Sequence, residues 1–454
     1  MDLKHFIALN VAAVLCNACY MLFIPFLSIE FKRYDIREAT FGYIIAMYSV
    51  SSMISSLFLG KFMIVLGRKR VLVLGILCMS ACLAMFSSIS YLENSTLVCI
   101  CCFVFRALQG LGSSMIHTPS YAIISISYGE KKQKYLALFE GMQGIGLALG
   151  PAIGGVIYSF CGFGSTFYIL AGLLFILCPI LYVQIPESFN EEEETLLDPS
   201  IERSDQEHPV TEIKAEYWTL IKNRVFSLTA IVTALTFLSF SSYHPELPTR
   251  LQELGLSSLE ISFFFAIGPT AQTLSSVFLV PVVTSSNHNE GNVGYEPKKI
   301  IVLALIACGF GQLCLGPSMF LPDRVEVIIV AMILIGTTAV FLLAFSLSVM
   351  TNESENKYPT QKSKANDLSS GVFFFACQCG ATIGPIYCSY ISEIISFRNE
   401  CTTVGVSIIS FALIYYVVCI LFQPKVKDVP NLESQILAKS IKPFKAQVKP
   451  KNNI

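Results

Sequence analysis

Charge is what this sequence has least of. Only 14% of its 454 residues are Asp, Glu, Lys or Arg, where a soluble globular chain carries about a quarter, so it cannot cover a water-exposed surface of its own size. Tryptophan is nearly absent, with one residue against 34 Phe, and histidine is limited to five. Basic and acidic residues balance at 31 and 32, a net charge of −1, which lacks the cationic excess that binding to nucleic acid draws on. No Cys-x-x-Cys pair repeats at metal-ligand spacing, and neither a nucleophile–base set nor a phosphate-cradling loop is present, so no metal, cofactor or enzyme site is expected. The sixteen cysteines fall almost entirely in apolar stretches, as Cys99, Cys101, Cys102, Cys377 and Cys379 do. That placement suits small polarisable packing residues better than a disulfide framework.

What is present is apolar length. Hydrophobic residues make up 54% of the chain, about 245 residues, and twelve membrane spans of about 20 residues need about 240. Apolar runs broken by charge, Pro, Gly or Asn lie at 6–29, 41–63, 71–91, 96–124, 134–158, 164–184, 225–247, 257–284, 299–320, 325–350, 366–393 and 401–422. The expected fold is an all-α membrane protein with twelve transmembrane helices, because lipid offers backbone groups no outside partner. The first run has no small-residue cleavage site and reads as span one, not as a signal peptide. Lys and Arg on alternate connections favour one side by 24 to 6, which predicts that both termini face the cytoplasm. The interval 186–224 is acidic and poor in apolar residues, as a linker loop is. It divides the chain into an N-terminal six-helix half (1–185) and a C-terminal half (225–423), with a basic cytoplasmic tail over 424–454. Within the linker, Glu192, Leu196 and Leu197 have the spacing of an acidic dileucine signal for a sorting adaptor. A solvated charge run accounts for the same residues.

Three local patterns stand out. Gly60 is followed by Gly67-Arg68-Lys69-Arg70 between spans two and three, and span four carries Arg106-x-x-Gln109-Gly110-x-Gly112. Span five holds Gly141-x-x-Gly144-x-Gly146-x-x-x-Gly150-Pro151-x-x-Gly154-Gly155, echoed by Gly380-x-x-x-Gly384-Pro385 in span eleven. With two groups of six spans, these resemble the loop and antiporter signatures of the major facilitator superfamily. Tyr20, Pro25-Phe26, Glu140 ahead of the glycine run, His244-Pro245-Glu246-Leu247-Pro248 and the stretch from Gly371 to Pro385 resemble its vesicular amine transporter branch, most closely the vesicular polyamine transporters. Two departures stand beside the likeness. Ile64 occupies the place of the loop's usual Asp. Span one offers Asn10 and Asn17, and span ten has no acid between Glu326 and Glu353, where monoamine and acetylcholine carriers hold intramembrane Asp.

The resemblance implies a substrate site near midplane between two rocking halves. It implies secondary active antiport of a small organic cation, amine or polyamine-like, against protons, in a vesicular, endolysosomal or vacuolar membrane or otherwise the plasma membrane. A non-transporting membrane sensor or chaperone-like relative with the same fold is the alternative, supported by Ile64 and the asparagines of span one.

Ionisable groups deep in lipid are costly and therefore functional candidates. Arg106 lies ten residues inside span four, about 15 Å deep at 1.5 Å per residue, with Asn17 at a similar level of span one. Arg106 and Gln109 read either as substrate or coupling residues or as structural ties to neighbouring carbonyls. Glu140 lies six residues into span five, and a hairpin turning near Gly129 sets it opposite His117. A carboxyl beside an imidazole supplies two groups whose protonation burial and proximity tune, as proton coupling requires; a static pair is the other reading. Gln143, Gln272 and Gln378 are candidates for the path or for helix–helix hydrogen bonds. His244 and Glu246 read as a cation entry site or as an interfacial cap. Gly144, Gly146, Gly150, Pro151, Gly154 and Gly155 suit close helix packing. Gly60, Gly67, Arg68, Lys69 and Arg70 form either the loop motif or an ordinary positive-inside cluster.

The topology is checked by impermeant labelling of single cysteines placed at Ser200 and at Tyr91, in a background without reactive native thiols. Opposite sidedness is expected, and matching sidedness would overturn the orientation.

Overall fold

Backbone groups inside lipid have to bond to one another, and the chain meets that demand with helix. The computed structural model describes residues 2–33, 38–187, 216–285, 296–316, 322 and 324–422, and among them there is no β-strand. The helices are α1 (Leu3–Arg33), α2 (Glu38–Leu66), α3 (Arg68–Ser87), α4 (Ser95–Tyr128), α5 (Lys132–Gln184), α6 (Tyr217–Ile221), α7 (Arg224–Ser241), α8 (Leu247–Glu253), α9 (Ser258–Ser285), α10 (Pro297–Leu315), α11 (Val325–Lys357) and α12 (Lys362–Tyr416). Spans five and six follow each other within the run α5 as two helices that meet at Gly162, whose backbone is not helical (φ 78°). Spans eleven and twelve are likewise two helices within the run α12, meeting at Ser396 (φ 68°), the second continued by a π turn, Val417–Leu421. Among the described residues, eleven stretches are long and apolar enough to cross a membrane. The twelfth expected span, 134–158, lies in the first part of α5. The protein is a multi-pass, all-α membrane protein.

Local chemistry sets the helix ends. Gly67 (φ 82°) turns α2 into α3, a conformation that costs a residue without Cβ little. Asn94 caps α4, its side chain accepting from the Thr96 and Leu97 amides at 2.9 and 3.2 Å. Asn223 caps α7 in the same way. That helix stops at Ser241, before the His-Pro-Glu-Leu-Pro run, and α8 starts with Pro in its first turn. The expected linker is not without structure at its end: residues 217–221 form α6, with Leu220 buried. Glu192, Leu196 and Leu197 and the basic tail lie outside the described residues.

Packing follows two parallel schemes. In the first set, α1 lies on α5, α2 on α4, and α3 on both α4 and α5; in the second, α7 lies on α12 and α11, α10 on both of those, and α9 on α11. Contacts between the sets run chiefly from α2 to α12 and from α5 to α9. Glycines decide how close these helices come. A Cβ at Gly146 would strike the Val14 carbonyl oxygen, and one at Gly150 would sit 2.5 Å from that of Ala18, so this face of α5 lies on the α1 backbone. Gly141 and Gly144 face the other way, onto Ser276 and the Pro269 carbonyl of α9. The echoed pair repeats the device, with Gly380 against the Ala234 carbonyl and Gly384 3.0 Å from that of Leu238, both on α7. Each half of the sequence echo therefore seats a helix on the first long helix of its set. Pro151, Gly154 and Gly155 lie further along α5, with Gly154 buried.

These contacts separate two glycines, one on each side of Gly162. Gly150→Ala is expected to cost about 1–3 kcal/mol through overpacking against α1. Gly172→Ala, with nothing within 4 Å of its added methyl, is expected to be neutral or stabilising by up to about 1 kcal/mol. Thermal unfolding of the two purified variants checks the order.

Candidate functional site

Polar side chains converge where α1, α4, α5 and α9 meet. Glu140 is 3% exposed, on the helix that glycine seats between α1 and α9. Its Oε1 accepts from the Tyr121 hydroxyl of α4 at 2.6 Å. That hydroxyl accepts from Gln143 Nε2 at 3.0 Å, and Gln143 Oε1 accepts from Asn17 Nδ2 of α1 at 3.2 Å. From α9, Gln272 Nε2 donates to the Glu140 backbone carbonyl at 3.2 Å, and Thr273 Oγ1 donates to that of Gly141 at 2.8 Å. Asn17, Gln143 and Gln272 are thus brought to Glu140. Among the described residues its carboxyl has only neutral hydrogen-bond partners and no Lys, Arg or His in an ion pair.

His117 is not the direct partner that the hairpin register suggested. Its ring stacks on Phe374 of α12 (centroids 5.2 Å apart) and lies 6.4 Å from Phe139 and from Tyr121. The cause is the pivot of the hairpin. With α4 ending at Tyr128 and α5 starting at Lys132, the chain folds about residues 130 and 131, which sets residue 121 level with residue 140. Tyr121 was missed in the sequence because its phenol is one of many aromatic groups in apolar spans. Mirroring Glu140 about the true turn would have found it.

Arg106 occupies a second polar centre. On α1, Tyr20 stands three residues beyond Asn17, about 4.5 Å along the axis, and its ring lies 5.5 Å from the Arg106 guanidinium. The Tyr48 ring of α2 lies 5.2 Å from it. A guanidinium packs well on such faces. One of its nitrogens also donates to Gln109 Oε1 at 3.3 Å, and the side chain is fully buried. Among the described residues, three candidates make no hydrogen bond to either centre. Gln378 is buried on α12, and no hydrogen bond joins it to the Glu140 group. His244 stacks on Phe265 of α9 (5.6 Å), beside Phe240 and Tyr243, while Glu246 precedes α8. Phe265 and Gln272 are seven residues apart on α9, about 10 Å along the axis, so His244 is not brought to Glu140.

The loop motif makes a third group at the basic end of the bundle. Arg68 grips Asp367 of α12 with two hydrogen bonds of 2.8 Å, Nε to Oδ1 and a terminal nitrogen to Oδ2, and reaches Ser363 Oγ at 2.5 Å. Paired forks of this kind are strong and directional, and the two side chains are 3% and 0% exposed. A carboxylate from the second set thus meets the basic cluster, where position 64 supplies none. Lys132 of α5 adds a tie to Glu355 of α11 at 3.3 Å, which Asn366 of α12 shares at 2.9 Å. Lys69 turns aside to the Tyr182 ring (4.4 Å) and Glu187 (3.9 Å), and Arg70 is exposed.

Removing the Tyr121 hydroxyl isolates its contribution. Tyr121→Phe keeps the edge contacts to Phe139 and Phe373 but leaves the Glu140 carboxyl and the Gln143 amide each short of a partner. A loss of about 1–3 kcal/mol is expected, read as a lower thermal midpoint. His117→Phe, which preserves the stack on Phe374, is expected to cost less.

Comparison with known proteins bears on what this arrangement belongs to. The sequence matches the Major Facilitator Superfamily over residues 8–360. It is similar to the MFS-type transporter SLC18B1 of Mus musculus, 22% identical over 415 residues, which cover 88% of this chain and 83% of that protein. The Homo sapiens protein of the same name is 21% identical over 407 residues, 87% of this chain and 81% of the relative. The staphyloferrin B transporter of Staphylococcus aureus is 24% identical over 313 residues, 68% of each chain. In fold, the crystal structure of the human organic anion transporter MFSD10 (TETRAN) superposes with a TM-score of 0.63 at 14% identity, covering 91% of this chain and 99% of that one. All of these relatives are transporters. A family match over more than three quarters of the chain, on a helical bundle that superposes on a solved transporter, makes this protein a member of the major facilitator superfamily.

Proposed function

We propose that the protein exchanges a small organic cation, amine or polyamine-like, for protons by alternating access between two six-helix halves, residues 1–185 and 225–423. The observation that carries this reading is Glu140: a buried carboxyl with neutral partners only, on the helix packed against both α1 and α9. An ionised carboxylate in such a place is costly without a counter-ion. It is satisfied either by a bound ammonium or by a proton, and the two compete for one charge. Competition of that kind is the simplest device for antiport, since neither ligand can leave until the other replaces it.

The surroundings suit the exchange. The Tyr121 hydroxyl can donate to the ionised carboxylate, or rotate to accept from the protonated acid, because a hydroxyl serves as both donor and acceptor. Gln143 and Asn17 follow that hydroxyl and carry the change to α1. Arg106 does not give up its proton at ordinary pH, so it serves as a fixed charge that orders α1, α2 and α4 and not as the proton carrier. With both termini cytoplasmic, the Arg68–Asp367 and Lys132–Glu355 ties close the cytoplasmic mouth, and both break when the site opens there. The substrate class comes from the branch motifs around Tyr20, Glu140 and His244, which also support a vesicular, endolysosomal or vacuolar setting, with Glu192, Leu196 and Leu197 as a sorting-adaptor contact.

The test is uptake of labelled amines and polyamines into proteoliposomes under an imposed pH gradient. Wild-type protein is expected to accumulate solute against its own gradient. Glu140→Gln, locked in the neutral form, is expected to lose at least nine tenths of the gradient-driven component. Undiminished accumulation by that variant would place the proton on another group.

A further inference from the structure

At Gly60 and Gly371 the backbones of α2 and α12 meet closely. A Cβ at Gly60 would lie 2.9 Å from the Asp367 carbonyl oxygen and 3.0 Å from Gly371 Cα, and one at Gly371 would lie 2.8 Å from the Ser56 carbonyl oxygen. One outside group enters this crossing, the phenol of Tyr217. Its oxygen is 3.0 Å from the Cβ position of Gly371 and closer still to that of Gly60, and its hydroxyl donates to the Leu57 carbonyl of α2.

The helix that carries Tyr217 belongs with the second set. Only Lys222 and Asn223 separate α6 from α7. Lys357 of α11 donates to the Thr219 carbonyl at 2.5 Å, and Leu220 is buried in the core. The residue therefore rides with α7 and α11 while its hydroxyl bonds α2 of the first set. The Arg68–Asp367 pair runs in the opposite sense, from α3 of the first set to α12 of the second. Two reciprocal ties bracket the glycine contact, and both have to part whenever α2 and α12 do. Burial and the Asp367 carboxylate push the Tyr217 hydroxyl above the ordinary phenol range, which keeps it a donor at every physiological pH.

We propose that Tyr217 is a gating residue, which through the Leu57 carbonyl clasps the two sets shut at the basic end. The inference rests on the reading that α2 and α12 separate during transport. It also explains why Gly60 of the loop motif lacks a side chain, since the phenol oxygen occupies the space that a Cβ there would fill.

The experiment is hydrogen–deuterium exchange of the full chain in lipid nanodiscs without solute, following peptides over 54–66 of α2 and 362–371 of α12. Tyr217→Phe keeps the ring and removes one hydrogen bond, and is expected to speed exchange in both segments about three- to tenfold, the range one such bond sustains. Gly60→Ala, whose methyl displaces the phenol oxygen, is expected to shift the same segments in the same direction. Tyr91→Phe, at an exposed tyrosine, is the control. Exchange within twofold of wild type in both segments would overturn the proposal. So would a rise shared equally by α7 and α10, because that is general loosening of the bundle. Absence of solute flux in the wild-type protein would sink the transport reading instead, and the exchange data would still decide the clasp.

Discussion

The approach of α5 to two other helices at once is the condition on which the polar interior depends. A carboxyl can be carried into a lipid-embedded bundle only if lipid is kept out and donors stand within about 3 Å of it. Gly146 and Gly150 bring the α1 backbone against one face of α5, and Gly141 and Gly144 bring α9 against another. That closeness lets Asn17 reach Gln143 from one side and Gln272 reach the Glu140 backbone from the other. Widen either contact by one side chain and the hydrogen bonds lengthen beyond use. The glycines perform no chemistry, yet the chemistry has no geometry without them.

Two buried carboxylates show how partners decide what an acid can do. Asp367 is gripped by the Arg68 guanidinium fork, one nitrogen of which also donates to the Ser363 hydroxyl. Removing one member of such a pair leaves an uncompensated charge at several kcal/mol. Glu140 has a phenol and amides instead, partners that tolerate either protonation state because none carries a charge to be abandoned. The first arrangement suits a tie that is made or broken as a unit. The second suits a group that changes its ligand.

The ties between the two sets at the basic end differ in reach and in kind. Arg68–Asp367 is ionic and fully buried, Lys132–Glu355 is ionic and partly exposed, and Tyr217–Leu57 is neutral and made to backbone. Ion pairs open to water are weak and screened by salt, so the buried fork and the phenol carry the burden of holding the two sets together at this end. Both sit beside the Gly60–Gly371 contact, where α2 and α12 touch backbone to backbone.

Much of the architecture could be read along the chain. Membrane spans announce themselves because about 20 consecutive residues have to be apolar, and the glycine runs of α5 and α12 stand out because small residues at intervals of four mark close helix contact. The family likeness rested on the same local patterns. What one dimension concealed were pairings that depend on where helices turn and cross. Tyr121, not His117, meets Glu140 because the hairpin pivots at residues 130 and 131, and a shift of two residues in the pivot moves the partner by a full helical turn. Arg68 finds its carboxylate 299 positions away, and Tyr217 finds its carbonyl 160 away, distances over which no local pattern carries information. The amino-acid sequence determined which segments enter the membrane and which faces pack closely, since burial of apolar surface and backbone hydrogen bonding are local demands. Only the tertiary structure decided which polar groups meet, because that depends on the relative rotation and register of helices brought together from distant parts of the chain.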